Sequence, residues 1–322
     1  MKQIGVLTSG GDCPGLNACL RAVVRTALAS GLKVLGIRHG YEGLMAGEVL
    51  PLDRSSVSGI INRGGTFLHT ARSENFTTPE GIEKACRVIT KQGIEGLVVL
   101  GGNGSLHGAS DLARKTQAAI LGIPKSIDND VGGTDFSIGF DTALNTAIEV
   151  IDKIRDTATS HDRLFLVETM GRKRGFLALA TALAAGAEAV LLPEVVNDLE
   201  TLCKKLDQGK GHGKVSSIVV VAEGEEEGGA IEIARKIKKF SDYDVRVSII
   251  GYQQRGGAPS AFDRILASQL GNAAVEALLR GERSKIVGLR NNQVTLSPLD
   301  TAFRETRPLD PTLLRLSEIL SR

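Results

Sequence analysis

Three short stretches carry residues whose types and spacing can handle an anion. "GGDCPG" at 10–15 and "GGNGS" at 101–105 put glycines where backbone N–H groups can approach a phosphate, just ahead of a helical pattern whose N-terminus adds its dipole. "IDND" at 127–130 sets Asp128 and Asp130 two residues apart. One carboxylate can then take a proton from a hydroxyl while the other faces a metal ion. Arg72, Arg163, Arg172, Arg246 and Arg255 lie in loops or near strand ends, and guanidinium groups make forked, charge-assisted bonds to phosphate. Each piece alone has an ordinary explanation: turns after strands need glycine, an Asp-Asn-Asp run caps a turn, and most arginines are simply solvated. Neither glycine loop matches the P-loop or the dinucleotide fingerprint. Ser160, His161 and Asp162 stand in a row, but triad partners come from separate elements, so this run is no hydrolase triad.

The elements that must position these groups repeat one pattern: a short apolar strand, a glycine-bearing turn, then an amphipathic helix. "IGVLTS" begins it, and the helix that follows places Leu16, Leu20, Val23, Val24 and Ala27 on one face. Further strand-like runs are "KVLGI", "GLVVL", "AAILGIP", "RLFLVETM", "AVLLPE", "SIVVVAEG" and "VRVSIIG". In "TALNTAIEVIDKIRDT", Ala143, Ala147, Ile148, Ile151 and Ile154 share a helix face. Strands apolar throughout, alternating with helices, predict an α/β fold with mainly parallel sheets covered on both sides. So many units favour two doubly wound, Rossmann-like domains over one open sheet, and their irregular spacing argues against a closed eightfold barrel. In such sheets ligands bind beyond the carboxyl ends of the strands. The glycine loops, "KSIDND", Met170-Gly171-Arg172, Glu223 and "YQQRGG" all follow predicted strands.

The 322 residues allow one large or two ordinary domains, and 42% hydrophobic with 24% charged residues is ordinary globular composition. A net charge of +2 and 4% aromatic residues argue against a nucleic-acid partner. The four cysteines form no CxxC and no metal-ligand spacing, and read as reduced cytosolic thiols. With no signal-peptide pattern and no apolar run of membrane-spanning length, the expectation is a cytoplasmic protein with no membrane partner.

Taken in order, "IGVLTSGGDCPGLNA", "INRGGTFLHTAR", "GGNGS", "PKSIDND", "ETMGR" and "GYQQRGG" resemble the bacterial-type 6-phosphofructokinase family from Ile4 to about Leu270. The resemblance implies a larger donor-binding domain of residues 1–138 plus about 251–302, and a smaller sugar-phosphate domain of about 139–250 plus 303–322. It further implies a homotetramer that transfers the γ-phosphoryl group of Mg-ATP to the 1-hydroxyl of fructose 6-phosphate, with Mg2+ as cofactor. By position, Asp128 resembles the base, Arg172 the arginine that stabilises the transferring phosphoryl group, and Gly11 part of both catalytic and donor sites. Arg72, Ser73, Gly102, Asn103, Gly104, Ser105 and Lys125 match donor positions. Ser126, Ile127, Met170, Gly171, Glu223, Tyr252, Gln253, Gln254 and Arg255 match substrate positions, and Arg163 and Arg246 match contacts reaching in from a neighbouring subunit. Arg21, Arg25, Arg54, Arg155 and Lys214 match basic positions of a nucleotide or phosphoenolpyruvate effector site, where His212 replaces a common second lysine. Asn103 and Asp130 are the candidate metal ligands.

Three departures bear on the donor. The family's GGDGS reads GGNGS here, so Asn103 replaces the metal-linked aspartate; PGTIDND reads PKSIDND, with Lys125 for glycine; and the usual histidine of GHxQRGG is Tyr252. Pyrophosphate users resemble GGDD, so Gly104 points to ATP, while Lys125 is typical of pyrophosphate users. An aspartate at 104 would put bulk and negative charge where the α-phosphate must lie, so Gly104 carries more weight. The alternatives are a pyrophosphate-dependent enzyme and a weakly active regulatory paralogue, the latter opposed by Asp128 and Arg172. Exchanging a carboxylate for an amide and adding an ammonium makes the site more positive by about two charges, that of one divalent ion. A nicotinamide dehydrogenase is disfavoured by the missing dinucleotide fingerprint.

Overall fold

The computed structural model describes residues 1–159, 163–211, 217–224 and 228–321. The Ser160–Asp162 run and the effector candidates His212 and Lys214 lie outside the described residues. The chain divides into two compact units, Met1–Thr142 with Arg255–Arg307, and Ala143–Gln254 with Pro308–Arg322.

The first unit is built on β1 (Gln3–Thr8), β2 (Lys33–Ile37), β3 (Val49–Leu52), β4 (Gly96–Gly101) and β5 (Ala119–Pro124). The returning segment adds two more strands, Lys285–Arg290 (β10) and Gln293–Pro298 (β11). Among the described residues they form a seven-stranded sheet in the order β11-β10-β5-β4-β1-β2-β3. Its five inner strands run parallel, and β3 and β11 close the edges antiparallel. Every residue of β4 and β5 is buried, which is why these strands read as unbroken apolar runs. On one face the helix Leu16–Ala29 buries Leu16, Leu20, Val23, Val24 and Ala27. The helix Ala261–Leu279 packs onto it closely: a Cβ at Gly271 would stand 2.8 Å from Ala22 Cβ and 2.9 Å from the Cys19 carbonyl.

The second unit holds a four-stranded parallel sheet in the order β7-β8-β6-β9, made of β6 (Leu164–Thr169), β7 (Ala189–Leu191), β8 (Ser217–Ala222) and β9 (Val245–Ile249). Its core joins Leu164, Leu166, Val219 and Val221 to Leu199, Leu202, Ile233 and Ile237 from the flanking helices.

The structure corrects the sequence expectation in two respects. β3, β10 and β11 were not among the predicted strands. β11 is half exposed along its length, and β3 is an edge strand with Pro51 inside it, so neither presents a continuous apolar run. In β10 the buried centre is short and flanked by Lys285 and Arg290. The boundaries also shift by a few residues. Residues 139–142 belong to the first unit because the Asp263 carboxylate accepts from Gly139 N at 2.9 Å and from Thr142 N at 2.9 Å. Residues 251–254 belong to the second, where the Gln254 amide accepts from Met170 N at 2.8 Å and donates to the Ala143 carbonyl at 3.3 Å. Residues 303–307 stay with the first, where Glu305 accepts from Gly133 N at 3.1 Å and Arg307 donates to the Asp135 carbonyl at 2.6 Å.

Asp263 also accepts from Thr142 Oγ1 at 2.5 Å, so one buried carboxylate caps the start of the helix Phe140–Thr159. Burial raises its pKa above the ordinary carboxylate value, against the lowering effect of those hydrogen bonds. The folded state therefore holds this proton more tightly than the unfolded chain. Its stabilising share is fully present below about pH 4, the unfolded pKa, and declines as pH rises through the folded value. Asp263→Asn leaves backbone donors facing an NH2 group and is expected to cost about 1–3 kcal/mol. Thermal unfolding across pH should show the gap to wild type narrowing as pH rises; a constant gap contradicts the assignment.

Candidate active site

In the first unit the strand-end loops meet. Gly10 follows β1 at φ +85°, a conformation that favours glycine, and a Cβ there would stand 3.1 Å from Ser105 Oγ and 3.4 Å from Lys125 Nζ. Ser105 Oγ bonds Ser9 Oγ at 2.9 Å, tying the loop after β4 to the loop after β1. The loop after β5 joins through Lys125, whose backbone N donates to the Gly101 carbonyl at 3.1 Å and whose Nζ donates to the Gly11 carbonyl. From the side, Thr70 Oγ1 donates to the Gly10 carbonyl at 2.7 Å, and Thr8 Oγ1 donates to the His69 carbonyl at 2.8 Å. Arg72, exposed, and Ser73, whose Oγ accepts from Phe76 N at 3.0 Å, continue that loop.

The helix Asn103–Ala113 starts in this cradle with Gly102 as its cap residue and no side-chain cap, so its first N–H groups are available to an anion. No atom lies within 4 Å of where a Cβ would stand on Gly104, so the space beside it is open. A Cβ on Gly11 would lie 2.7 Å from Arg255 Nη1, so the Arg255 guanidinium covers that glycine. Lys125 is buried, and burial pushes its ammonium below the ordinary lysine value; Arg255 adds to this, while Asp12 and Asp128 oppose it. Burial pushes the neighbouring Cys13 thiol up to about 12, which favours its protonated form.

Asp128 is buried, and its N–H donates to Ser126 Oγ at 3.1 Å. Ile127 beside it is buried as well. Asp130 is held from two sides: Asn103 Nδ2 donates to its Oδ2 at 2.9 Å and Ser126 Oγ to its Oδ1 at 3.3 Å. Asn103 Oδ1 is a buried carbonyl oxygen without a hydrogen-bond partner. That orphaned oxygen beside a carboxylate fits a hard divalent cation that keeps several waters and draws further oxygens from a bound phosphate. Among the described residues, no cluster of three or more His, Cys, Asp and Glu is arranged to hold a metal with protein ligands alone.

In the second unit the carboxyl end of β6 leads to Met170, buried, then Gly171 and Arg172 in a turn closed by Arg174 N donating to the Gly171 carbonyl at 3.0 Å. Arg172 takes φ +55°, a strained value for a residue with a Cβ, and its N–H donates to Glu223 Oε1 at 2.7 Å. Glu223 thus anchors the backbone at Arg172. Tyr252 and Gln253 are exposed on the segment after β9, whereas Gln254 is fully buried and spends its amide on Met170 and Ala143. Arg163 and Arg246 lie at the amino ends of β6 and β9, where both donate to Asp244 Oδ2, at 2.9 and 3.0 Å. Those bonds, Arg163's first, hold the Asp244 carboxyl below its usual range, against the opposing effect of burial. Arg172 stands at the other end of β6, roughly 20 Å along a six-residue strand, so the arginines fall into two groups.

Of the effector candidates, Arg25 and Arg54 are exposed and Arg21 half-buried, while Arg155 donates to the Ala185 carbonyl at 2.6 Å at the end of the helix Phe176–Ala185. Ser9, Thr70, Asn129 and Ser137 were not singled out from sequence. Ser9, in "TSGG", carried the one usable signal, a hydroxyl at a strand end beside glycines.

A doubly wound parallel sheet whose strand-end glycine loops enclose an uncapped helix N-terminus, a buried ammonium and two aspartates defines a phosphate-handling α/β protein. A sequence model of the phosphofructokinase family matches residues 3–278, and the chain belongs to that family. It is 49% identical over 331 aligned positions to an ATP-dependent 6-phosphofructokinase of Halothermothrix orenii, covering 100% of both chains. To ATP-dependent 6-phosphofructokinase 1 of Thermus thermophilus it is 50% identical over 321 positions, again covering 100% of both. Among solved structures, Saccharomyces cerevisiae phosphofructokinase superposes with a TM-score of 0.87 at 36% identity, over 93% of this chain and 45% of the yeast chain. A pyrophosphate-dependent phosphofructokinase of Marinobacter aquaeolei shares the fold, with a TM-score of 0.85 at 23% identity, over 96% of this chain and 86% of that one.

Removing the buried ammonium tests the cradle. Lys125→Met should weaken calorimetric binding of a triphosphate ligand about 10- to 100-fold, the value of a hydrogen bond to a charged group. Unchanged affinity would mean that the ammonium serves packing alone.

Proposed function

We propose that this chain transfers the γ-phosphoryl group of Mg-ATP to the 1-hydroxyl of fructose 6-phosphate, giving fructose 1,6-bisphosphate. The observation that carries the chemistry is the buried Asp128 on a loop bonded into a glycine cradle with its own ammonium. Full-length relatives at 49–50% identity named ATP-dependent 6-phosphofructokinase favour ATP over pyrophosphate. The open space beside Gly104 accommodates a nucleotide's α-phosphate, which supports the same choice.

The roles follow from chemistry and position. Backbone N–H groups of Gly11 and of Gly102 to Ser105 hold donor phosphates, with Arg72, Ser73 and Lys125 contributing side chains. Asp128 takes the proton of the attacking hydroxyl, and Arg172 balances charge on the transferring group. By sequence position, Ser126, Ile127 and Arg255 of the first unit and Met170, Gly171, Glu223, Tyr252 and Gln253 of the second are assigned to the acceptor, and Gln254 holds Met170 in place. Asn103 and Asp130 would hold Mg2+, which neutralises charge on the donor phosphates and orients them. Phosphoryl transfer needs little more than such positioning and electrostatics.

Arg163 and Arg246, at the far end of their sheet from Arg172, serve the sugar phosphate of a neighbouring subunit, in keeping with a homotetramer. By the family resemblance Arg21, Arg25 and Arg54 of the first unit and Arg155 of the second are candidates to bind a nucleotide or phosphoenolpyruvate effector, and Lys214 matches by sequence alone. No helix among the described residues is long and apolar enough to cross a membrane, and we place the enzyme in the cytoplasm.

Steady-state rates with fructose 6-phosphate should show turnover with ATP and little with pyrophosphate; the reverse preference overturns the donor assignment. Asp128→Asn should lower kcat about 10²- to 10⁴-fold, the usual contribution of a general base. Gly104→Asp should keep the melting temperature and raise the KM for ATP, because a Cβ there meets no neighbouring atom within 4 Å and the carboxylate adds negative charge beside the donor.

A further inference from the structure

The loop that carries Asp128 is held from behind by two residues with no role in the site so far. Asn129 is buried and adopts φ +51°, a left-handed conformation that asparagine tolerates better than most residues. Both ends of its amide are used: Oδ1 accepts from Ser137 N at 2.8 Å, and Nδ2 donates to the Asp135 carbonyl at 3.1 Å. Ser137, also buried, donates its hydroxyl to the Ser126 carbonyl at 2.6 Å. Ser126 in turn donates its N–H to the Ile138 carbonyl at 3.1 Å and accepts the Asp128 N–H on its Oγ at 3.1 Å. The bonds close a ring, Asn129 to Ser137 to Ser126 to Asp128, that fixes the peptide on each side of the carboxylate.

We propose that Asn129 and Ser137 are positioning residues for phosphoryl transfer: they set the backbone at Asp128 so that its carboxylate meets the acceptor hydroxyl. The inference rests on the function proposed above. Its physical basis is that a left-handed residue directly after Asp128 determines where the chain turns, and the Asn129 amide holds that turn through bonds shielded from water. A displacement of about 1 Å at the reacting atoms costs on the order of 10²-fold in rate, whereas substrate affinity depends on other groups.

The test is a double-mutant cycle. Asn129→Gly keeps the backbone conformation and removes the amide. Asn129→Asp keeps an acceptor for Ser137 N and loses the donor to Asp135. Ser137→Ala removes the hydroxyl that holds Ser126. In ATP-driven turnover, Asn129→Gly should lower kcat about 100-fold, with both KM values within about threefold of wild type. Asn129→Asp should recover part of that loss, and Ser137→Ala should lower kcat in the same sense. In an Asp128→Asn background, Asn129→Gly should cost less than about threefold more, because the group it positions is already disabled. If it costs the same in both backgrounds, or if the loss falls on KM alone, Asn129 does not act through Asp128 and the inference fails. Wild-type turnover that no variant at 129 or 137 alters also overturns it, while the proposed function stands. Wild type without ATP-driven turnover overturns both.

Discussion

The buried Lys125 ammonium, donating to the Gly11 carbonyl, is the interaction on which the first unit's site depends. A charge shut away from water is costly unless it is bonded and balanced. Lys125 is bonded to a carbonyl and has Asp12 and Asp128 near it, but burial and Arg255 still press its ammonium toward the neutral form. A phosphate bound beside it would supply the missing counter-charge. The same residue joins two strand ends, since its backbone N–H pairs with Gly101 while its side chain reaches Gly11. Cradle geometry and cradle charge therefore come from one side chain.

Around that centre the fold divides the work. β1, β4 and β5 run parallel and end side by side, so three separate sequence stretches meet without any long loop. Asn103 then binds Asp130 rather than standing free, and its carbonyl oxygen is left as the unsatisfied atom. An aspartate there would set two carboxylates against each other. An amide gives Asp130 a donor instead, and with Lys125 the chain supplies positive character of its own. In the second unit the strand length separates Arg172 from Arg163 and Arg246, so one sheet presents arginines at both ends.

Much of this was legible in the sequence, for identifiable reasons. Inner strands such as "GLVVL" are buried on both faces and so are apolar throughout; glycine loops at their ends are chemically conspicuous. Edge strands escaped because half of each faces solvent, and β3 has Pro51 inside it, which is untypical of a strand interior. The residues behind the site escaped for a different reason. Nothing in "NDVGGTDFS" says that Ser137 returns to bond Asn129, since that pairing depends on how the loop turns back. Gln254 matched the family's substrate contacts, yet its amide faces inward, and only packing around Met170 reveals this.

The loops 9–12, 101–105 and 125–130 are proposed to form one donor cradle. Amide hydrogen exchange with and without a non-hydrolysable ATP analogue tests it directly. All three loops should gain protection together at one ligand concentration, and Lys125→Met should reduce the protection in all three. Protection confined to a single loop, or appearing only in the second unit, would contradict it.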